Sequence, residues 1–319
     1  MATNRYAGTT EPVVPPGPSP VDLHTHTTRS DGVLEPADLA AAAAACGVRT
    51  LAITDHDNLA ASRELMAPGA LPPGLELITG VEINTVAEYP GAWQGELHVV
   101  GLGVDLANDA FEAMLAAQRA RRRDRFALTL ERLRDAGLPI DDVAARLPAD
   151  ERASLGRPTV ARLLVAKGYA SSVEDAFERI IGYGGPGYVP RHGIGPRDAI
   201  AAIRAGGGLA VLAHVFDAAD RRAEIEELKE AGLGGIEVHY RRFDAATVRS
   251  VAEVAEDLRL VPSGGSDYHG DLETYAEAHA ATWVPPEDAV AVRTALAAMR
   301  TSTASTITAS TITASTRPR

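Results

Sequence analysis

The sequence predicts an α/β protein built on a parallel sheet or a barrel, with a helical insertion near its middle. Short apolar runs of strand length alternate with helical stretches along most of the 319 residues, which is the pattern of repeated βα units. Between about residues 108 and 192 this alternation stops and the chain becomes mostly helical. The two observations together favour a βα scaffold that is interrupted once.

Seven apolar runs are predicted to be strands. In chain order they are Val21 to His26, Thr50 to Thr54, Leu75 to Asn84, Glu96 to Gly101, Leu209 to His214, Gly235 to His239 and Leu260 to Ser263. Helices are predicted between them. In the segment from Glu35 to Cys46, for example, Pro36 suits the first helical turn and Gly47 suits the C-terminal stop.

The middle of the chain contains three predicted helices and no convincing strand. The helices are Asp109 to Asp135, Thr159 to Lys167 and Val173 to Ile181, and a Gly/Pro-rich stretch at 182–196 follows them. We therefore expect a first barrel part at 21–107, an insertion at 108–192 that caps the substrate, and a second barrel part at 193–300.

Both ends of the chain are predicted to be disordered. Residues 1–20 contain five prolines and no periodic apolar pattern. Residues 301–319 form a low-complexity Ser/Thr tail in which the unit Ala-Ser-Thr-Ile-Thr is repeated. A period of five fits neither a helix face nor a strand face, so we expect no packed structure from this tail.

Composition excludes several classes of protein. Hydrophobic residues make up 45% and charged residues 23% of the chain, which is usual for a globular protein. No apolar run reaches the roughly 18 residues of a membrane span, and the N-terminal segment does not resemble a signal peptide, so we expect a cytoplasmic protein without a membrane partner. The single cysteine, Cys46, excludes an intramolecular disulfide and a zinc site built on several thiolates.

The charge balance points towards cations. The chain has 43 acidic and 31 basic residues, which give a formal net charge of −12. Such a surface repels nucleic-acid backbones, so a stable nucleic-acid partner is not expected. The arginine-rich run at 119–125 is predicted to be a solvated helix face. An acidic pocket that holds cations is favoured instead.

Histidines and carboxylates are the most informative feature, because they lie at successive strand ends. His24 and His26 are two residues apart on the first strand, so their side chains share a face. Asp267 and His269 repeat this spacing after the last strand. The carboxyl ends of strands are where βα barrels carry their chemistry, so the two pairs predict half of a metal shell.

Five further candidates lie at matching positions: Asp31 after the first strand, His56 after the second, Glu82 in the third, His98 in the fourth and His214 at the end of the fifth. Taken singly, a histidine at a strand end is more often structural, and Asp31 fits an ordinary turn. Glu82 is harder to explain in this way, because a buried carboxylate without a partner is strongly disfavoured. The joint arrangement favours a metal site.

Six segments together resemble a known family: Asp22-Leu23-His24-Thr25-His26, Thr54-Asp55-His56-Asp57, Gly80-Val81-Glu82, Leu97-His98, Ala213-His214 and Ser266-Asp267-Tyr268-His269. They resemble the motifs of the polymerase and histidinol phosphatase (PHP) family of metal-dependent phosphoesterases, over about residues 21–300. The resemblance implies a distorted seven-stranded βα barrel that holds up to three divalent metals. Its function would be hydrolysis of a phosphate ester.

The resemblance also implies how the ligands are shared. One ion would be held by His24, His26, Glu82 and Asp267, a second by Glu82, His98 and His214, and a third by Asp31, His56 and His269. All nine positions are filled without a substitution, which argues against a non-catalytic relative. The catalytic residues that this implies are Glu82, Asp267, His214 and His269, with Glu82 as the bridging carboxylate.

The donor set limits the metal and the mechanism. Imidazoles and carboxylates without thiolates fit Mn²⁺, Fe²⁺ or Zn²⁺, and we favour manganese. A pair of metals about 3.5 to 4 Å apart lowers the pKa of a bridging water and neutralises phosphoryl charge, so attack by a bridging hydroxide is expected. Asp22, Asp55 and Asp57 flank ligand histidines and are candidates to orient the imidazoles.

Three other histidines lie outside this set. His239 is either a further supporting group or a structural residue, and the structural interpretation is favoured. His279 is predicted to be structural or exposed, and for His192, which borders the insertion, the two interpretations are equally supported.

The insertion bears on the substrate. Its run Gly156-Arg157-Pro158-Thr159, followed by Lys167-Gly168-Tyr169 and Gly187-Tyr188-Val189-Pro190, resembles the PHP subgroup that removes the 3′-phosphate from nucleoside 3′,5′-bisphosphates. Some members of that subgroup degrade short RNA from the 5′ end. The resemblance implies that Arg157 contacts a substrate phosphate, with Lys167 and Arg191 as further candidates. Where the subgroup tends to have a histidine, this chain has Thr159, so one substrate contact is missing or replaced.

The leading hypothesis is therefore a metal-dependent phosphatase for small phosphorylated nucleosides. The alternatives are a 5′-3′ exoribonuclease on short RNA, and a phosphatase for another small ester such as histidinol phosphate or a cyclic sugar phosphate. A hypothesis of a different class is a non-catalytic, metal-binding regulatory module. Low aromatic content, 5% of residues, favours small substrates over long RNA.

Overall fold

The computed structural model describes residues 17–87, 95–147, 154–270 and 274–314. In this part of the chain seven strands form one sheet, and their order in the sheet follows their order in the chain. The strands are β1 (Val21–Asp22), β2 (Thr50–Ile53), β3 (Glu76–Ala87), β4 (Gly95–Leu102), β5 (Leu209–Leu212), β6 (Gly235–Tyr240) and β7 (Val261–Gly265).

Helices connect and surround the strands. They are α1 (Pro36–Ala45), α2 (Ala60–Leu65), α3 (Asp109–Asp135), α4 (Asp141–Ala144), α5 (Arg157–Ala166), α6 (Val173–Ala176), α7 (Pro196–Ala205), α8 (Arg222–Glu230), α9 (Ala245–Asp257), α10 (Tyr275–Ala280) and α11 (Pro286–Ala314). A π-helical turn at Phe177–Ile181 directly follows α6, where the sequence predicts one continuous helix. None of the described helices is long and apolar enough to cross a membrane.

The sheet curls until its first and last strands meet. The backbone N–H of Leu23 donates to the carbonyl of Gly264 at 3.0 Å, and Thr25 forms a parallel bridge with Tyr268. The result is a nearly closed, seven-stranded barrel with helices around it, so the predicted α/β barrel is confirmed.

The direction of β4 differs from that of a fully parallel sheet. Most neighbouring strands pair in parallel, but β4 is antiparallel to both β3 and β5. Fewer residues separate Ala87 from Gly95 than the dozen or so that a parallel crossover needs, which explains why β3 and β4 pair antiparallel. A parallel sheet throughout is therefore wrong, and the barrel is distorted at β4.

The first predicted strand is also shorter than expected. Only Val21–Asp22 pairs as a strand, whereas His24 and His26 lie in the extended segment that follows. The backbone of that segment bonds alternately to two loops: Thr54 donates to Thr25, while Asp267 donates to His24 at 2.7 Å. These bonds hold both histidines between the ends of β2 and β7.

The barrel and the insertion have separate apolar cores. The largest barrel cluster includes Val81, Ile83 and Leu212 and packs against α7, α8 and α9. A different cluster lies entirely within the middle of the chain and joins α3 to α5 and the π-helical turn; its members include Leu133 and Leu164. Residues of the insertion thus bury apolar surface among themselves.

The ends of the chain correct two expectations. Residues 1–16 lie outside the described residues, but Ser19 is buried, and its hydroxyl donates to the carbonyl of Val284 at 2.7 Å, so the packed structure begins before residue 21. The Ser/Thr tail was predicted to be disordered, yet α11 continues to Ala314. Its first turns are anchored by the buried residues Val292 and Leu296, and the sequence contains no Pro or Gly from 287 to 314, so each further residue adds a helical hydrogen bond.

Candidate metal centre

Nine side chains converge where the parallel strands of the barrel end: His24, His26, Asp31, His56, Glu82, His98, His214, Asp267 and His269. These are the nine ligands that the sequence predicts. They form three groups, and within each group the nitrogen and oxygen atoms that could bind a metal lie within 4.8 Å of one another.

The first group combines His24, His26, Glu82 and Asp267. The Nε2 atom of His24 lies 3.4 Å from Oε2 of Glu82 and 3.4 Å from Oδ1 of Asp267. The Nε2 atom of His26 lies 3.2 Å from each of the same two oxygens. Two imidazoles and two carboxylate oxygens therefore face one point.

The second group shares Glu82 with the first. Its other oxygen, Oε1, lies 2.8 Å from Nδ1 of His98 and 3.2 Å from Nε2 of His214. Glu82 is central on β3, between the strands that lead to the other ligands. The two oxygens of this carboxylate therefore face different groups of donors.

The third group contains Asp31, His56 and His269, and it also includes His26, which the sequence assigns to the first group alone. Nε2 of His269 lies 3.3 Å from Oδ1 of Asp31, and Nε2 of His56 lies 3.6 Å from Oδ2. His26 stacks on His269 with ring centroids 4.1 Å apart. His26 thus stands between two groups.

Buried polar atoms at this centre lack hydrogen bonds. Within the described residues, Nε2 of His24, Nε2 of His26, Nδ1 of His56 and both carboxylate oxygens of Asp31 are buried and make no hydrogen bond. Leaving so many polar atoms unsatisfied would cost several kcal/mol in all, at about 1 to 3 kcal/mol each. Divalent cations would satisfy them, so the donor set fits metals that accept nitrogen and oxygen ligands.

Without metals, two of the histidines retain protons. Burial opposes a charge on His24, but the carboxylates of Glu237 and Glu82 outweigh it and hold the pKa of His24 well above its usual value. Burial also opposes a charge on His26, yet the adjacent carboxylates of Asp267 and Glu82 raise its pKa to about 10. At neutral pH a metal must therefore displace protons from both rings.

The pKa values of three carboxylates and of His56 are lowered rather than raised. Burial would raise the pKa of Glu82, but the surrounding imidazoles, led by His56, hold it well below its usual range. The pKa values of Asp31 and Asp267 are lowered for the same reason. Burial lowers the pKa of His56 to about 4, so this imidazole is neutral and ready to bind a cation.

One supporting residue was missed by sequence analysis. Glu237 on β6 is buried, and its Oε1 lies 3.0 Å from Nδ1 of His24. Its Oε2 accepts a hydrogen bond from the backbone N–H of His214 at 2.8 Å. The signal was present, because a carboxylate within the apolar run Gly235-Ile236-Glu237-Val238 is as conspicuous as Glu82. Such carboxylate partners fix the orientation of ligand imidazoles.

The three aspartates predicted to orient imidazoles bond mainly to loops. Asp22 accepts hydrogen bonds from the backbone of Ser266 at 2.9 Å and from the hydroxyl of Tyr275 at 2.9 Å. Asp55 accepts from the backbone and hydroxyl of Thr27, at 2.7 and 2.6 Å, and also from the Ser30 hydroxyl, which lies 3.4 Å from Nδ1 of His26. Asp57 pairs with arginines of the insertion. Asp55 thus reaches one imidazole through Ser30, while the other contacts position the segments that carry candidate ligands.

The remaining histidines lie outside the three groups. Nε2 of His239 lies 3.3 Å from Oδ2 of Asp288, on the buried side of α11. His279 is buried, with Nε2 2.8 Å from the carbonyl of Ser19. His192 is exposed. His239 and His279 thus serve packing.

A cavity of about 640 Å³ opens above the metal centre. Its floor is formed by candidate metal donors, among them Glu82, His98, His214 and His269. Its walls carry six arginines: Arg122, Arg125, Arg157, Arg191, Arg241 and Arg242. Four of them come from the insertion and its return to the barrel, and two follow β6. A volume of this size is typical of a small-molecule site.

Two of the three predicted substrate contacts reach this cavity. Arg157, at the start of α5, and Arg191 line it, but Lys167 does not. Lys167 lies at the far end of α5, about 15 Å along the helix, and its ammonium pairs with Asp142 at 3.0 Å. Arg241 and Arg242 were not predicted, because they follow a strand without a recognisable motif.

The arginine run on α3 is only partly solvated, so the predicted solvated face needs correction. Arg121 is exposed, but Arg119 and Arg122 are buried against the barrel. The guanidinium of Arg122 donates from Nε to Oδ2 of Asp57 at 2.6 Å, and Arg119 donates to the carbonyl of Asp57 at 2.8 Å. Positions 119 and 122 share a helix face, which here meets a buried carboxylate.

Comparisons with known proteins agree with this geometry. A family model for the PHP domain matches residues 22–137. The 5′-3′ exoribonuclease Rnm of Escherichia coli is 37% identical over 260 residues, which are 78% of this chain and 84% of that protein. The chain belongs to the PHP family. The 3′,5′-nucleoside bisphosphate phosphatase of Chromobacterium violaceum is 33% identical to this PHP protein over 258 residues, which are 79% of the chain and 88% of that phosphatase.

A solved structure shares the fold. A protein of Bifidobacterium adolescentis, described as a metal-dependent phosphoesterase, superposes with a TM-score of 0.72 at 29% identity, over 85% of this chain and 94% of its own. This PHP protein is a phosphate-ester hydrolase, and its His, Asp and Glu clusters give a metal-dependent phosphoesterase fold the groups to hold metal. The family and the reaction class predicted from the sequence are confirmed.

Proposed function

We propose that this PHP protein hydrolyses the phosphate monoester of small phosphorylated nucleosides, of the 3′,5′-bisphosphate type. The observation that carries the proposal is the distribution of charge in one cavity. Clustered metal donors form its floor, and six arginines line its walls. The floor suits the phosphate that is cleaved, and the walls suit a second phosphate on the same substrate.

The ligand roles follow the three groups. His24, His26, Glu82 and Asp267 would hold one ion, Glu82, His98 and His214 a second, and Asp31, His56 and His269 a third, with Mn²⁺ favoured. When bound, divalent ions neutralise charge on phosphoryl oxygens and make water acidic enough to attack at neutral pH. Glu82 would serve two ions, because its oxygens face different groups.

The side chains that would meet the substrate are only partly buried. His214 and His269 are 25% and 17% exposed and face the cavity, so they would touch the cleaved phosphate together with Asp267. Arg157 lies over the ring of Phe177 at 5.5 Å, which orients its guanidinium on the opposite wall. A planar guanidinium binds phosphate oxygens in pairs, so Arg157 and Arg191 would hold the second phosphate.

A short RNA is the alternative substrate. The similarity to an exoribonuclease supports it, since the 5′ end of an oligonucleotide would present the same phosphate and sugar to the cavity. Histidinol phosphate or a simple cyclic sugar phosphate carries one phosphate, so it matches a cavity whose walls hold six arginines less well than a bisphosphate does. A role without catalysis is not supported for a phosphate-ester hydrolase whose nine donors converge.

The test is an assay of the Mn²⁺-loaded protein on three substrates. We expect phosphate release from adenosine 3′,5′-bisphosphate to exceed release from histidinol phosphate, and a 5′-phosphorylated oligonucleotide to be intermediate. Equal and negligible turnover on all three would refute the proposal. A faster reaction on the oligonucleotide would favour the alternative.

One variant distinguishes binding of the second phosphate from binding of the phosphate that is cleaved. Arg157→Ala should lower kcat/KM for the bisphosphate by about 10- to 100-fold, since a hydrogen bond to a charged group contributes about 1.5 to 3 kcal/mol. The same variant should leave adenosine 3′-monophosphate, which lacks the second phosphate, nearly unaffected. Equal losses on both substrates would place Arg157 at the cleaved phosphate instead.

A further inference from the structure

Tyr240 is the last residue of β6, and it lies between two ligand-bearing segments. On one side β5 leads to His214, and on the other β7 leads to Asp267. Tyr240 is opposite Gly265 in the parallel register with β7. It lines the cavity above the metal centre. No motif in the sequence singles it out.

The hydroxyl of Tyr240 is hydrogen-bonded to one oxygen of Asp267. It donates to Oδ2 at 3.1 Å. The other oxygen, Oδ1, faces the histidine pair, 3.4 Å from Nε2 of His24 and 3.2 Å from Nε2 of His26. The two oxygens of this carboxylate are therefore distinguished: one is held by the protein, and one is presented to the proposed ion.

The ring of Tyr240 is itself fixed. Its centroid lies 5.4 Å from that of His214 and 5.1 Å from that of Phe243, which it meets edge to face. Asp267, in contrast, has a strained backbone with φ of 47° and a side chain that could turn its oxygens. A hydroxyl on a packed ring therefore supplies the constraint that the aspartate lacks.

We propose that Tyr240 is a positioning residue, whose hydroxyl holds Oδ2 of Asp267 so that Oδ1 stays directed at the metal bound with His24 and His26. The inference rests on the proposed ligand set. Groups that hydrogen-bond to a metal ligand typically contribute 10- to 100-fold in metal affinity or activity, about the effect expected here. The ring adds a link to His214, a ligand of the neighbouring group.

The test is metal binding by Tyr240→Phe, which removes the hydroxyl and keeps the ring. Titration of the metal-free protein with Mn²⁺ should show one site weakened by about 10- to 100-fold and the others nearly unchanged. Turnover should fall at limiting Mn²⁺ and recover when the metal is in excess, with KM for substrate unchanged. Tyr183→Phe, which removes a hydroxyl from a ring that is 93% exposed, is the matched control.

Three outcomes are informative. Unchanged Mn²⁺ affinity in Tyr240→Phe with a raised KM would overturn the inference, because the hydroxyl would then bind substrate. A thermal midpoint that falls while metal affinity is preserved would also overturn it, because the role would be structural. Asp267→Asn distinguishes this failure from failure of the ligand set: if that variant keeps all its metal, the proposed ligands are wrong.

Discussion

The candidate metal centre and the helical insertion line one cavity with different groups, and they are built in different ways. At the centre, the histidines and carboxylates lie on strands or in the segments that follow them, so hydrogen bonds between these segments fix their spacing. In the insertion, arginines extend from α3, α5 and the return segment, which pack on a core of their own. The spacing of the donors therefore follows mainly from strand pairing in the barrel, whereas four of the six wall arginines depend on how the insertion docks.

Asp57 is the point where the two regions are fastened. It directly follows His56, has a positive φ of 52°, and is contacted by both the barrel and the insertion. Its backbone N–H donates to the carbonyl of Glu82 at 2.9 Å, while its carboxylate binds Arg122. Nη2 of Arg191 lies 3.7 Å from the same carboxylate. The insertion therefore reaches a segment that carries a predicted ligand.

The largest effect is expected from Glu82→Gln, which removes a charged donor from the candidate metal centre and leaves the residues of the insertion unchanged. Loss of a charged bridging ligand should lower turnover by about 1,000-fold or more, because metals contribute several kcal/mol to stabilising the transition state. Bound metal, measured by elemental analysis, should fall in parallel. Glu178→Gln, at an exposed position of the insertion, is the control. Metal content and activity that both survive would mean that the centre lies elsewhere.

The second-largest effect is expected from removing the contact between Arg122 of the insertion and Asp57. Arg122→Ala leaves the buried carboxylate of Asp57 with weaker partners, so we expect a loss of about 3 kcal/mol in the free energy of unfolding, at the low end for a broken buried pair. Urea unfolding measures it. Arg121→Ala removes an exposed arginine one residue earlier and should change stability by less than about 0.5 kcal/mol. If the two variants match, Arg122 does not fasten the insertion.

Lower pH should weaken metal binding at the candidate centre without disturbing the packing of the insertion. In the metal-free protein the pKa of His26 is raised to about 10, and that of His24 is also raised, so both are protonated at pH 7. Metal must displace these protons, so affinity should fall by up to about 100-fold for each unit by which the pH is lowered. Calorimetry in buffers of different ionisation enthalpy should detect about two protons released per metal at this site. Release of none would contradict the assigned protonation.

The smallest effect is expected within the insertion itself. Lys167→Ala removes a cation that pairs with Asp142 away from the cavity, so kcat/KM should change by less than about twofold. Steady-state kinetics on the bisphosphate measures it beside Arg157→Ala. A loss as large as that of Arg157→Ala would show that α5 presents its other end to the substrate.

Local pattern was sufficient to predict the elements that carry the centre. The bounds of α3 are those predicted, and every strand was found within a few residues, because apolar runs and helix stops are local signals. The nine donors were predicted from their places at strand ends and from the family resemblance. The reversed direction of β4 was missed, because strand direction depends on the length of a connection rather than on the strand's own residues.

Supporting contacts were harder to predict, because they join residues far apart in sequence. Glu237 meets His24 across 213 positions, and Asp22 meets Tyr275 across 253. Asp55 and Asp57 flank His56, but adjacent side chains on an extended chain point to opposite sides. Asp22 shares a face with His24, yet it bonds to Ser266 and Tyr275, which lie far away in sequence. The burial of Arg122 could not be inferred from the sequence of α3 alone. A buried arginine needs a partner for its charge, and here the partner is the carboxylate of Asp57, 65 positions away in the chain.

Residue type and local spacing were enough to predict the candidate metal donors, the order in which the strands present them, and the family of the chain. They could not show that Glu82 turns its two oxygens to different groups, that His26 stands between two of them, or that six arginines surround one cavity. These facts depend on closure of the barrel and docking of the insertion, which bring distant segments within a few ångströms. Packing of the whole chain, rather than any local pattern, sets those distances.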